Sequence, residues 1–107
     1  MPNSEYQVVL CTCPNQATAE KLAHLIIDAK LAACVNIIPN LTSIYRWQDK
    51  IETSSEQLLI IKTKKSVYTT LESSLIKAHP YECPEIVALS ITQGFTGYLQ
   101  WIDKTVI

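Results

Sequence analysis

A chain of 107 residues, 48% hydrophobic and 18% charged, has the composition of one globular domain (1–107) with one modest core, not of a disordered or fibrous segment. A net charge of −1, with Lys62-Thr63-Lys64-Lys65 as the densest basic run, argues against a nucleic-acid partner. No apolar stretch approaches the roughly 20 residues of a membrane span. Met1-Pro2-Asn3-Ser4-Glu5 lacks the basic start and apolar run of a signal peptide.

The predicted elements run strand, helix, strand, strand, helix, strand, then a short terminal helix. Tyr6 to Cys13 is rich in β-branched and apolar residues and is broken by Pro14-Asn15, a helix-start signal in which Asn15 caps the first turn. Ala19, Leu22, Ala23 and Ile26 then recur at helical spacing. A β-rich run from Ala33 to Ile38 meets Pro39-Asn40, read as a bulge, and resumes through Thr42 to Trp47. Gln48-Asp49-Lys50 forms the hairpin tip, and Ile51 to Thr63 the return strand. Val67, Leu71 and Leu75 share one stripe of a second helix that ends before Pro80. Ile86 to Ile91 is the last strand, and Tyr98, Trp101 and Ile102 mark a docking helix.

This βαββαβ order predicts an α+β fold of the ferredoxin-like kind, two helices on one face of a four-stranded antiparallel sheet. Hairpin arms of about 13–15 residues would measure roughly 45–50 Å, against a diameter of roughly 35 Å for a compact chain of this size. The hairpin therefore projects beyond its sheet, carrying Ile44, Tyr45, Trp47, Ile51, Leu58 and Ile60. Pairing with further copies of the chain covers such an edge, so a homo-oligomer is expected.

Four cysteines, at positions 11, 13, 34 and 83, match no zinc-knuckle spacing and, without an export signal, predict reduced thiols in the cytoplasm. Cys11 and Cys13 leave one strand on the same face, and thiolates with an imidazole suit Cu(I) or zinc. His79, followed by Pro80, is the best imidazole for such a site; the competing reading makes each thiol a small core hydrophobe, as expected of Cys34. Tyr45, Trp47, Lys62, Tyr81, Glu85 and Trp101 form a second, aromatic and charged set. It reads either as a ligand cleft between subunits or as an interface salt bridge with aromatic packing, Glu85 serving Lys62. His24 is a surface side chain. No nucleophile elbow, phosphate loop, zincin helix or dinucleotide loop is present, so no enzyme is expected.

Leu31-Ala32-Ala33-Cys34-Val35-Asn36-Ile37-Ile38-Pro39 and Thr42-Ser43-Ile44-Tyr45-Arg46-Trp47 closely resemble the CutA family of divalent-cation tolerance proteins. His79-Pro80-Tyr81-Glu82-Cys83-Pro84-Glu85 and Tyr98-Leu99-Gln100-Trp101-Ile102 match its later motifs, so the likeness runs from about Val8 to Ile102. The resemblance implies a homotrimer similar in architecture to PII signalling proteins, associated with tolerance of copper and other divalent cations. It also implies a copper site at Cys11 and His79; the family's other histidine position is Ala78 here, which cannot ligate. The rival implication is a PII-like small-molecule-sensing or protein-interaction trimer.

Overall fold

The structure, a computed structural model, describes residues 5–107; the first four, read above as lacking a signal-peptide start, lie outside the described residues. The elements are β1 (Tyr6–Cys13), α1 (Gln16–Asp28), β2 (Cys34–Trp47), β3 (Lys50–Lys64), α2 (Tyr68–Ala78), β4 (Ile86–Ser90) and α3 (Thr96–Thr105). One antiparallel sheet in the order β2-β3-β1-β4 carries them, which is the expected ferredoxin-like arrangement.

Alternation along the central strands decides what each face meets. Val9, Cys11 and Cys13 of β1 and Leu59 and Ile61 of β3 point one way, into a core with Leu22 and Ile26 of α1 and Leu71 and Leu75 of α2. The opposite face holds Val8, Leu10, Leu58 and Ile60, half-buried, flanked by Ile38, Val87 and Leu89, which are 44%, 45% and 54% exposed. One side of the sheet is thus a finished core and the other an apolar surface facing outward.

Local chemistry explains the boundaries. The Asn15 side chain accepts from the Thr18 amide at 2.8 Å and caps α1, as its position foretold. At the other end, the Leu31 amide donates to Ile26 and the Lys30 amide to Ile27, with Lys30 at φ 60°, a Schellman stop built without glycine. The expected bulge shifts the β2–β3 register between Ile38 and Leu41, with Asn40 at φ 59° and its amide donating to Gln57 at 3.3 Å. Trp47 pairs with Lys50 across a two-residue turn in which Gln48 and Asp49 sit at φ 51° and 66°.

β1 pairs with β3 only as far as Gln57, so Lys50–Glu56 and the facing half of β2 project past the sheet. The molecule measures 43 × 31 × 23 Å, elongated as the hairpin geometry required.

The terminal helix departs from its expected face. Ile102 is buried together with Val106, and Leu99 packs against the same core, whereas Tyr98 and Trp101 are exposed. Three and four residue steps from Leu99 define the docking stripe; the aromatic pair lies one step round the helix, their rings 5.5 Å apart. Asp103 ties the helix down by accepting from the Tyr6 phenol at 2.5 Å and pairing with Lys64 at 3.9 Å.

Candidate functional site

The end of β1, the end of α2 and the projecting hairpin meet around the connector 79–85. Pro80 forces His79 out of the helical region, and it sits extended at φ −78°, ψ 138° while its amide still donates to Leu75 at 2.9 Å. This turns the imidazole inward, where it is 8% exposed. Nε2 lies 2.8 Å from the Thr12 carbonyl oxygen, and Nδ1 accepts from the Tyr81 amide at 3.1 Å. An amide can only donate and a carbonyl can only accept, so the ring is neutral with its proton on Nε2. The Tyr81 ring packs against it with centroids 4.8 Å apart.

Cys11 approaches the same carbonyl: its Sγ donates to the Thr12 oxygen at 3.8 Å. The two sequence-predicted ligands therefore converge on one oxygen atom. Cys11 is fully buried, and burial first, then the neighbouring Cys13, pushes its thiol up to about 12. Cys13 is also buried, with Sγ 3.9 Å from the Asn15 carbonyl, and burial raises its thiol too. Cys34 departs from the expected core position: it is half-buried on the open sheet face. Cys83 is exposed.

These environments predict how the thiols react. Burial keeps Cys11 a neutral thiol near pH 8, so iodoacetamide is expected to label Cys83 and spare Cys11 and Cys13 in the native protein. The raised folded-state value also fixes a sign. Stability from burying the neutral thiol is complete below the unfolded value, about 8.5, and falls as pH rises from there towards 12. Peptide mass spectrometry after timed labelling checks the first point; equal labelling of Cys11 and Cys83 would contradict it.

Beside this pair opens a cleft of about 690 Å³. Tyr45, Trp47, Tyr81 and Glu85, four of the six residues grouped from the sequence, line it together with Thr12 and Glu56. Glu56, 5% exposed, was not foreseen; one of its oxygens accepts from the Tyr81 phenol at 2.6 Å, pinning the connector to the hairpin. Burial, then that bond and the nearby carboxylate, hold the phenol's proton well beyond the ordinary tyrosine range. The available signal was parity, since Glu56 falls on the strand face that Leu58 and Ile60 share.

Lys62 and Trp101 lie elsewhere in the chain. Lys62 donates to the Asn36 side chain and lies 4.0 Å from the Cys34 sulfur, so its partners within the chain stand on β2, and a pairing with Glu85 would be one between copies. It stands five residues along β3 from Gln57, roughly 17 Å from the cleft end of the strand. Trp101 packs on Tyr98 at the outer side of α3. His24 is exposed on α1, as read from the sequence.

Comparison with known proteins places this geometry in a family. The model of the CutA1 divalent ion tolerance protein matches residues 7–105. Protein CutA of Homo sapiens is 47% identical over 87% of the chain and 52% of its own length. A relative from Arabidopsis thaliana, named as chloroplastic, is 46% identical over 92% of the chain and 54% of its own length. The chain thus spans about half the length of these curated relatives. The solved divalent cation tolerance protein of Thermus thermophilus superposes with a TM-score of 0.93 at 42% identity, covering 94% of this chain and 98% of that one. No helix among the described residues is long and apolar enough to cross a membrane. The chain belongs to the CutA1 divalent ion tolerance family.

Proposed function

We propose that this chain, folded as one domain, works as a non-enzymatic homotrimer in the response to divalent metal ions, and that it binds copper through Cys11 and His79. Convergence of a thiol and an imidazole on the Thr12 carbonyl carries this reading. The donor set fits copper in kind, since soft sulfur and imidazole nitrogen favour it over harder ions. It is not poised at rest: the Cys11 thiol has to lose its proton, the His79 ring has to move its proton from Nε2 to Nδ1 to present Nε2, and Ala78 adds no donor. Affinity should therefore rise with pH as the released thiol proton is taken up by solvent.

The trimer is supported by the outward apolar face around Leu58, Ile60, Val87 and Leu89 and by the projecting hairpin, neither of which a lone chain covers. A cytoplasmic location is supported by four free thiols.

The test is a competition titration of reduced, metal-free protein with Cu(I), read by native mass spectrometry in a Cys83→Ser background. One ion per chain is expected, lost in Cys11→Ala and in His79→Ala. Undiminished binding in both variants would remove these residues from the assignment.

A second reading, small-molecule sensing by the trimer, is favoured by the cleft under the Tyr81–Glu56 bond, whose volume of about 690 Å³ lies in the range of roughly 300–1,000 Å³ usual for ligand sites.

A further inference from the structure

The cleft's walls say which charge it accepts. Glu56, Glu82 and Glu85 line it, and no lysine, arginine or histidine does among the described residues. An anionic ligand would meet three carboxylates and no counter-charge.

Glu56 adds an independent observation. It is a carboxylate with 5% of its surface exposed, and the phenol of Tyr81 is a neutral donor. The ion pair found among the described residues is Lys64–Asp103, remote from it. The side-chain partner of Glu56 is thus a neutral phenol and not a cation, and a positive ligand would supply the ion pair that the chain itself does not make there.

The cleft's shape argues against a bare metal ion in this role. Among the described residues no three His, Cys, Asp or Glu side chains stand close enough to hold one, so the carboxylates are spread too widely to chelate a compact ion. Tyr45, Trp47 and Tyr81 line the same cleft, and aromatic rings attract diffuse, weakly hydrated cations.

We propose that the cleft binds a small organic cation, an alkylammonium or alkylguanidinium compound, with its charge towards Glu56 and its carbon chain among Tyr45, Trp47 and Tyr81. This deepens the sensing reading of the cleft and rests on it; it does not depend on copper binding at Cys11 and His79.

The experiment uses Trp47 emission in a Trp101→Phe background, with saturation-transfer NMR on the unaltered protein as a second readout. The probes are n-butylammonium and butylguanidinium, with butyrate and magnesium chloride as controls at matched ionic strength. Saturable responses to both organic cations are expected, with none to butyrate or magnesium. Glu56→Gln, which keeps an acceptor for the Tyr81 phenol, should weaken both at least tenfold.

A saturable response to butyrate alone would overturn the choice of ligand and leave the cleft as a binding site. A magnesium response equal to that of the organic cations would overturn it in favour of plain ion attraction, and undiminished binding by Glu56→Gln would do the same to the role of Glu56. Silence from every probe in both readouts would overturn the ligand site itself. If, in addition, Glu56→Gln lowered the assembled mass, a side chain of a neighbouring copy would be the cation.

Discussion

Leu59→Ala is expected to destabilise the protein by about 2–5 kcal/mol, the usual range for a truncated, fully buried leucine. Leu59 lies on an interior strand, opposite Cys11 on one side and Ile37 on the other, so backbone pairing on both edges restrains any collapse into the cavity. Its neighbour Leu58 offers the comparison that gives the experiment its force. Leu58 faces the opposite way and is half-buried in the single chain, so Leu58→Ala should cost far less if the chain stands alone. In an oligomer assembled through the open face the two costs should approach each other. Urea unfolding at two protein concentrations separates these cases, because subunit association makes the midpoint depend on concentration. A loss below about 1 kcal/mol for Leu59→Ala would mean that the core is not arranged as described.

Leu89→Lys should have the largest effect on assembly and little on the fold. The side chain is 54% exposed in the single chain, so a lysine there can keep its charge in water. Packed against another copy, the same lysine would be buried without a partner, a cost of several kcal/mol repeated in every subunit. Light scattering should then show the wild-type trimer at three times the 12.0 kDa of the chain and the variant near 12.0 kDa, with unchanged far-ultraviolet circular dichroism. Glu20→Lys, on the exposed side of α1, is the control and should leave the mass alone. A wild-type protein that is itself near 12.0 kDa would end the trimer proposal, and an unchanged mass in Leu89→Lys would move the interface elsewhere.

Periodicity made most of the fold legible. Alternation in β1 and β3, the helical stripes of α1 and α2, the Asn15 cap and the Pro39-Asn40 bulge are local consequences of residue type, and each stands where the chain predicted it. The terminal helix was placed correctly but turned wrongly. Large aromatics outweigh leucine by eye, yet Leu99, Ile102 and Val106 dock while Tyr98 and Trp101 face out.

The candidate site was legible only in part, because its contacts are long-range. Tyr45 and Tyr81 are far apart in sequence, and only the curl of the hairpin over the connector puts them around one cleft. The Tyr81–Glu56 bond spans 25 residues and follows from no spacing rule. Lys62 was matched to Glu85 on charge alone, and its partners within the chain, Asn36 and the Cys34 directly opposite, follow from strand pairing instead. The protonation of His79 depends on an amide two residues away and a carbonyl 67 residues away, which only the folded chain brings together.

Four residues at three sharp features of the backbone, Lys30, Asn40 and the Gln48-Asp49 turn, adopt left-handed conformations without a single glycine. Each costs about 1 kcal/mol of strain in the native chain relative to glycine. The return comes from the other side of the equilibrium. A residue with a Cβ explores fewer conformations when unfolded, so less freedom is lost when the chain orders. With only two glycines in 107 residues, the denatured ensemble of this protein is stiffer than that of an average chain. Glycine replacements at these turns should relieve strain and loosen the unfolded state together, leaving net stability nearly where it began.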